Sequence, residues 1–379
     1  MKRLLAIPGA LCIALIGFSQ VGEGDPHLDS QIIEEMATGG FVGMAAAVIS
    51  GDELVWSSGY GYADLENRVP FTPKTLINIA SITKTITGTC LMVLVEKQYV
   101  LLDFYANEII PFDLPRDITL RQLATHTSGI HDRDDFYDVE AYINEGKERP
   151  PLGVFLMNYL SPDGKDFKEA NFLEAEPGQR YEYSNIGAGL AGYVVECISG
   201  ERLDNFSRKY IFEPLGMEST GWFMEDIDRN MHSLLYTKSG AEIIPFYDLA
   251  TYPDGNLRTS VEDLSRFLIC IANGGEYKGK RILNEITIKE MLNPQYKKGK
   301  APENFNVDER NIGIFWDVSK NDKGETIIGQ SGGDPGVGTM MYYNLDQGTG
   351  IILFANSEGS RESYTKIYDA LWDHASRLK

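Results

Sequence analysis

The β-rich segments of this sequence lie at its two ends, and a long helical section separates them. Residues 43–50 and 53–62 are typical of two strands joined by a tight turn at Gly51 and Asp52. Four more runs with strand character, separated by turn residues, come late in the chain: 312–319, 325–331, 338–345 and 349–356. A strand must bury its apolar face against another layer, so we expect both ends of the chain to build one antiparallel sheet.

The section between these strands is predicted to be mostly helical. Residues 82–98 are apolar on nearly every side, which indicates a buried helix. Shorter helices are predicted at about 187–198 and 203–212, and another begins after Ser260.

The predicted fold is therefore α+β, with an antiparallel sheet from both termini flanked by helices and an inserted helical subdomain. The α/β part is expected at about residues 28–80 and 250–379, and the helical part at about 81–249.

The first 20 residues differ in character from the rest. Lys2 and Arg3 precede an apolar stretch of about fifteen residues and a return to polar composition, which predicts a signal peptide over residues 1–20 and a secreted or periplasmic protein. Without that segment the chain has 33 basic and 55 acidic residues, a net charge of −22. Such a surface repels nucleic acid and anionic lipid, so we expect neither as a partner and no membrane insertion beyond the signal peptide.

The strongest chemical signal is Ser81 followed three residues later by Lys84, at the start of the buried helix. Residues three apart share a helix face, so the lysine amine can lie beside the serine hydroxyl. A serine becomes a nucleophile when a neighbouring group accepts its proton. Because burial disfavours an ammonium, we expect a lowered pKa for Lys84. The alternative is a serine N-cap followed by a solvated lysine.

A second signal is Tyr183 and Asn185 directly before a predicted helix. A tyrosine beside a lysine can act as a general base, and an asparagine amide can bond both the lysine and a substrate. Packing of Tyr183 and helix capping by Asn185 are the alternative roles.

Taken in order, these segments resemble the serine β-lactamase-like family, which includes class C β-lactamases, penicillin-binding D-Ala peptidases and carboxylesterases. The phrases that carry the resemblance are SITK, ITLRQLATHTSGI, EPGQRYEYSN, FEPLGM, GNLRTSVEDLSRF and QSGGDPG. The resemblance covers roughly residues 28–375. It implies a site in the cleft between the α/β part and the helical part, with a peptide, ester or β-lactam as the acyl substrate.

The resemblance also implies roles for individual residues. Ser81 would be the acylated nucleophile, and Lys84 and Tyr183 would share the proton transfers. Asn185, Gln330, Ser331 and Gly333 would bind substrate, with the backbone N–H groups of Ser81 and Gly333 forming the oxyanion hole.

Two other patterns compete with this interpretation. Ser331 lies in a G-x-S-x-G pattern, but a turn and a strand follow it, whereas an α/β-hydrolase nucleophile precedes a helix. His126, His131 and Asp132 lie close together in sequence, but their spacing fits no metal-ligand pattern. We predict no metal and no other cofactor.

Gln330 bears on the substrate. The family usually has lysine or histidine there, and a neutral glutamine does not attract the carboxylate of a penicillin or a D-Ala-D-Ala peptide by charge. A D-Ala peptidase or an esterase is therefore favoured over an efficient β-lactamase. The alternative from a different class is a non-catalytic relative that binds peptidoglycan or a protein partner through the same cleft.

Overall fold

We describe the chain from a computed structural model, which covers residues 18–22 and 24–378. The predicted signal peptide lies almost entirely outside these residues, and only residues 18–20 at its end belong to a described strand. Within the described ranges, no helix is long and apolar enough to cross a membrane.

Residues 18–22 and 24–378 contain seventeen strands, many of them short. In chain order they are β1 Phe18–Val21, β2 Gly43–Ser50, β3 Glu53–Asp64, β4 Val69–Pro70, β5 Ile77–Asn78, β6 Tyr142–Asn144, β7 Leu235–Tyr236, β8 Ile243–Ile244, β9 Tyr247–Leu249, β10 Arg258–Thr259, β11 Glu276–Tyr277, β12 Lys280–Arg281, β13 Asn311–Ile312, β14 Asp317–Lys320, β15 Thr326–Asp334, β16 Val337–Asn344 and β17 Thr349–Ala355.

Nine of these strands form one antiparallel sheet. Its order is β1-β3-β2-β17-β16-β15-β14-β13, with β4 paired to β3. The two ends of the chain meet at its centre, where β2 pairs with β17 over the register Ser50↔Thr349 to Met44↔Ala355. The predicted sheet from both termini is thus confirmed. The remaining strands pair in twos outside this sheet.

The described part of the chain also contains eleven α-helices. They are α1 Pro26–Gly39, α2 Thr83–Glu96, α3 Leu120–Ala124, α4 Asp134–Glu140, α5 Leu152–Leu160, α6 Asn185–Ser199, α7 Leu203–Ser207, α8 Glu213–Leu215, α9 Val261–Ala272, α10 Glu285–Leu292 and α11 Arg361–Arg377.

Alternation along β2 shows how the sheet is buried on both faces. Met44, Ala46 and Val48 belong to the apolar cluster under α1 and α11. Ala45 and Ala47 belong to the larger core on the other face, which includes α2, α6 and α9. Successive side chains of a strand point to opposite faces, so an almost continuous apolar run covers both. The predicted fold class is confirmed, whereas the division of the chain near residues 81 and 250 stays a prediction.

One predicted strand is wrong in detail. Residues 312–319 form two short strands, β13 and β14, instead of one. Between them Phe315 has a left-handed backbone with φ 57°, and the backbone N–H of Gly313 donates to the carbonyl of Trp316 at 2.8 Å. This turn buries the side chains of Phe315 and Trp316. The free energy gained by burying them outweighs the strand propensity of the run.

Candidate active site

Ser81 lies on a single 3₁₀ turn, residues 80–82, that leads into α2. Ala80 before it has a left-handed backbone with φ 47°, which is costly for a residue with a side chain and persists only where the surroundings impose it. Thr339 Oγ1 on β16 donates to the carbonyl of Ile79 at 2.9 Å. A Cβ on Gly332 of β15 would come within 2.6 Å of the same oxygen. The sheet therefore holds the turn and fixes the position of Ser81.

Lys84 lies one turn into α2, and its side chain is fully buried. Its Nζ donates three hydrogen bonds: to Ser81 Oγ at 3.0 Å, to Asn185 Oδ1 at 2.7 Å and to the carbonyl of Asp254 at 2.8 Å. An ammonium has three protons to donate, so these acceptors satisfy the charged form completely. The predicted contact between Ser81 and Lys84 is present.

The expected lowering of the Lys84 pKa is wrong. Burial does lower it, but negative charge on Tyr183 and on Asp254 outweighs burial, and the net pKa lies above the ordinary value. The sequence suggested burial alone, whereas the sign depends on side chains from distant segments. Lys84 is therefore an ammonium at neutral pH.

Tyr183 lies at the mouth of the site, with 38% of its surface exposed. Its ring centroid is 4.9 Å from Lys84 Nζ, and it stacks on the imidazole of His126 at 4.3 Å. His126 Nδ1 accepts from the backbone N–H of Ser184 at 3.2 Å. Burial, followed by the charges of Lys84 and Arg310, lowers the His126 pKa to about 3. A neutral, buried histidine thus supports one face of Tyr183.

Asp132 fixes the start of α6, where Asn185 is the first helical residue. Its carboxylate accepts from Ser184 Oγ at 2.6 Å and from the backbone N–H groups of Asn185 and Ile186. These bonds stabilise the charge, but burial outweighs them and raises the Asp132 pKa to about 7. In the sequence, Asp132 stood out only as a possible metal ligand, and this positioning role was not predicted.

A cavity of about 400 Å³ opens beside Ser81. Of the predicted site residues, Ser81, Tyr183, Asn185 and Gly333 line it, and Lys84 contacts two of these from behind. Gln330 and Ser331 are not among the lining residues. Gln330 is buried, and its Oε1 accepts from the backbone N–H of Ser331 at 3.0 Å. A role for these two residues in substrate binding stays a prediction.

Asp254 and Asp334 are two of the cavity residues for which the sequence predicted no role. The backbone carbonyl of Asp254 supplies the third acceptor for Lys84, and Asp254 and Asp334 are both among the residues that line the cavity. Burial raises the pKa of Asp254 to about 6 and that of Asp334 to about 7. Both lie within or beside the motif phrases, Asp334 in QSGGDPG and Asp254 directly before GNLRTS. Their place next to recognised motifs was the signal in the sequence that could have pointed to a role at the site.

Comparison with known proteins identifies the family of this chain. The Beta-lactamase family model matches residues 28–376. The curated protein flp of Staphylococcus aureus (strain MW2) is 22% identical over 349 residues, which are 88% of this chain and 63% of flp. The chain therefore spans about 63% of the length of this relative.

Solved structures share the fold. The octameric penicillin-binding protein homologue from Pyrococcus abyssi superimposes with a TM-score of 0.73 at 25% identity, over 90% of this chain and 76% of that one. The D-amino acid amidase from Ochrobactrum anthropi SV3, complexed with L-phenylalanine amide, has a TM-score of 0.71 at 23% identity. That match covers 92% of this chain and 99% of the amidase.

Proposed function

The chain belongs to the Beta-lactamase family, and on that premise we propose that it is a serine hydrolase that acts through an acyl-enzyme on Ser81. The observation that carries the proposal is the hydrogen bond from Lys84 Nζ to Ser81 Oγ at 3.0 Å, at the edge of an open cavity. A buried ammonium that donates to a partly exposed serine hydroxyl stabilises the negative charge that the serine oxygen gains as it loses its proton to a neighbouring base.

Tyr183 is assigned as the proton acceptor. All three protons of Lys84 are already donated and its pKa is raised, so the lysine is a poor acceptor in the free protein. In this role Tyr183 reacts as the phenolate and becomes the phenol when it takes up the Ser81 proton. The charge of Lys84 stabilises the phenolate before this transfer and the negative charge that develops on the Ser81 oxygen during it. Tyr183 then returns the proton to the leaving group and later activates the water that releases the acyl group.

The oxyanion is assigned to the backbone N–H groups of Ser81 and Gly333, because both residues line the cavity. The close approach of Gly332 to the nucleophile turn holds this part of β15 against Ser81. Asn185, held between Lys84 and the cavity, is assigned to orient the substrate carbonyl or amide.

Labelling with a fluorescent fluorophosphonate tests the nucleophile. The wild type and Ser331→Ala are expected to be labelled, and Ser81→Ala is expected to lose the label. Labelling that survives Ser81→Ala overturns the assignment. Absence of label in the wild type, together with binding of peptidoglycan fragments, points to the non-catalytic alternative.

A side-by-side assay tests the substrate class. We expect turnover of a p-nitrophenyl ester or a D-Ala-D-Ala peptide and slow turnover of a chromogenic cephalosporin, since Gln330 offers no positive charge for a carboxylate. Fast cephalosporin hydrolysis contradicts this expectation, and improved β-lactam acylation in Gln330→His supports it.

A further inference from the structure

A second cavity lies between α5, α6 and the segment that follows β9. Its volume is about 770 Å³, against about 400 Å³ for the cavity beside Ser81. Both volumes are typical of sites that hold small molecules. Among the described residues, only Leu249 belongs to the linings of both cavities. The second cavity is therefore a separate place for a ligand, and the proposed function makes no use of it.

The interior of the second cavity is apolar and partly aromatic. Its lining includes Phe112, Leu152, Met157, Tyr193 and Phe223. The rings of Phe112 and Tyr193 stack with their centroids 6.2 Å apart. Tyr193 also lies against α5 at Gly153, where a Cβ would come within 2.5 Å of the tyrosine ring. Glycine weakens a helix, and at this position it leaves the room in which Tyr193 forms one wall. An occupant must present an apolar surface to these side chains.

Two exposed cations line the opening of the second cavity, Lys147 and Arg202. The Arg202 side chain is 58% exposed and forms an ion pair with Asp204 at 2.9 Å. A guanidinium has five N–H donors, so most of those of Arg202 remain available. In the described part of the chain, the Lys147 amine has no hydrogen-bond or ion-pair partner. Both groups can therefore bind an anion at the opening.

A third cation of the lining, Arg149, is already neutralised. It forms ion pairs with Glu225 and Asp248, and its guanidinium carbon lies 4.1 Å from the centroid of the Phe223 ring. The guanidinium carbon of Arg202 lies 5.4 Å from the same centroid. Phe223 thus places the available guanidinium of Arg202 where the apolar interior meets the opening.

Two carboxyl groups also line the second cavity, Glu148 and Glu196. Glu196 accepts a hydrogen bond from the Tyr252 hydroxyl, and burial raises its pKa, which disfavours its charged form. Glu148 is exposed and offsets one of the two available cations. Positive charge therefore remains in excess at this opening, in a chain whose net charge is −20.

An alkyl chain that ends in a carboxylate matches this arrangement. Each CH₂ group that enters the apolar interior should strengthen binding about fourfold. The carboxylate can take two parallel hydrogen bonds from a guanidinium, and the nearby lysine adds attraction. A cationic ligand would be repelled at the opening, and a neutral alcohol would forgo the charge-assisted bonds.

We propose that the second cavity is a binding site for a medium-length alkyl carboxylate. The alkyl chain lies among Leu152, Met157 and Tyr193, and the carboxylate binds Arg202 and Lys147 at the opening. The site is distinct from Ser81, and its ligand takes no part in the acyl-enzyme. The proposal therefore stands or falls independently of the proposed function.

Isothermal titration calorimetry of the full-length protein with butanoate, hexanoate and octanoate tests the proposal. We expect one site per chain and an affinity that rises about 16-fold with each added pair of CH₂ groups. Arg202→Gln is expected to weaken octanoate binding about tenfold. The matched control is Arg208→Gln, which changes a similarly exposed, ion-paired arginine outside the lining and is expected to preserve the affinity.

A second pair of measurements locates the bound octanoate. Met157→Trp places a larger side chain in the cavity and is expected to abolish binding, with circular dichroism as the check that the variant is folded. Protein whose Ser81 carries the fluorophosphonate label is expected to bind octanoate with unchanged affinity, because the label occupies the other cavity. Should Met157→Trp fail to fold, the comparison of Arg202→Gln with Arg208→Gln tests the same site.

Several results would overturn the proposal. An affinity that does not depend on chain length would mean that the carboxylate binds surface cations alone. Octanol or octylamine that binds as tightly as octanoate would remove the role of the charge, and equal weakening in Arg202→Gln and Arg208→Gln would remove the role of this opening. Loss of binding on Ser81 labelling would place octanoate in the other cavity. Self-association of the protein that octanoate does not disperse, together with no octanoate binding, would assign this face to a second copy of the chain.

Discussion

Replacing Asp334 with asparagine should stabilise the protein at neutral pH and much less under acid conditions. The Asp334 side chain is largely buried, and one of its oxygens has no hydrogen-bond partner among the described residues. Burial is the largest cause of its raised pKa, and the neighbouring charge of Asp254 adds to it. Asparagine keeps an acceptor for the Tyr142 hydroxyl and removes the buried charge.

The magnitude follows from proton linkage. The carboxyl pKa is 3.8 as the unperturbed value and about 7 in the folded protein. Between pH 5 and pH 7 the unfolded chain has lost the proton and the folded protein retains it. The stability of the wild type therefore falls as pH rises through this interval. One pH unit corresponds to about 1.36 kcal/mol. From pH 5 to pH 7, the free energy of unfolding of the asparagine variant should therefore rise relative to that of the wild type by up to about 2.7 kcal/mol.

Urea unfolding at pH 5, 6, 7 and 8 measures this difference directly. The control is Asp308→Asn, an exposed aspartate paired with Lys298. We expect its difference from the wild type to stay within about 0.5 kcal/mol at every pH. A free-energy difference between Asp334→Asn and the wild type that does not change with pH would refute the reasoning, because it would mean that Asp334 is ionised to the same extent in both states.

Two further predictions concern the contacts that position Ser81 and Asn185. Gly332→Ala should destabilise the protein by about 1–3 kcal/mol in urea unfolding, because its Cβ would lie 2.6 Å from a backbone oxygen, whereas the Cβ of Gly333→Ala meets no atom within 4 Å and should cost little. Asp132→Ala should lower the free energy of unfolding by about 1–3 kcal/mol, because it leaves the donors at the start of α6 unpaired. Asp132→Asn keeps an acceptor and should lower it less. Equal losses in the two variants would contradict the capping role.

Local patterns in the sequence predicted the features that depend on local geometry. The period-two pattern predicted the bounds of β2 and β3 to within a few residues, and the helical pattern did the same for α2. The three-residue spacing of Ser81 and Lys84 predicted their contact, because a helical turn alone brings them together. Antiparallel pairing of the two ends followed from the need to bury strand faces on both sides.

What the sequence did not reveal depends on contacts between distant segments. Asp254 and Asp334 are 80 residues apart in the chain, and no periodicity relates them to each other or to Asp132. The sign of the Lys84 pKa shift has the same origin, since burial lowers it and charges from residues 183 and 254 raise it. The sequence indicates the burial of Lys84, but it does not show which charges from distant segments surround it.

The ammonium of Lys84 and the buried carboxyl groups of Asp254 and Asp334 form one coupled charge distribution. Asp254 and Asp334 both raise the pKa of Lys84, and Lys84 in turn lowers theirs. One lysine cannot balance two buried carboxylates, so part of the negative charge stays uncompensated and costs stability. Neutral residues at these two positions would remove that cost, as the Asp334→Asn measurement tests.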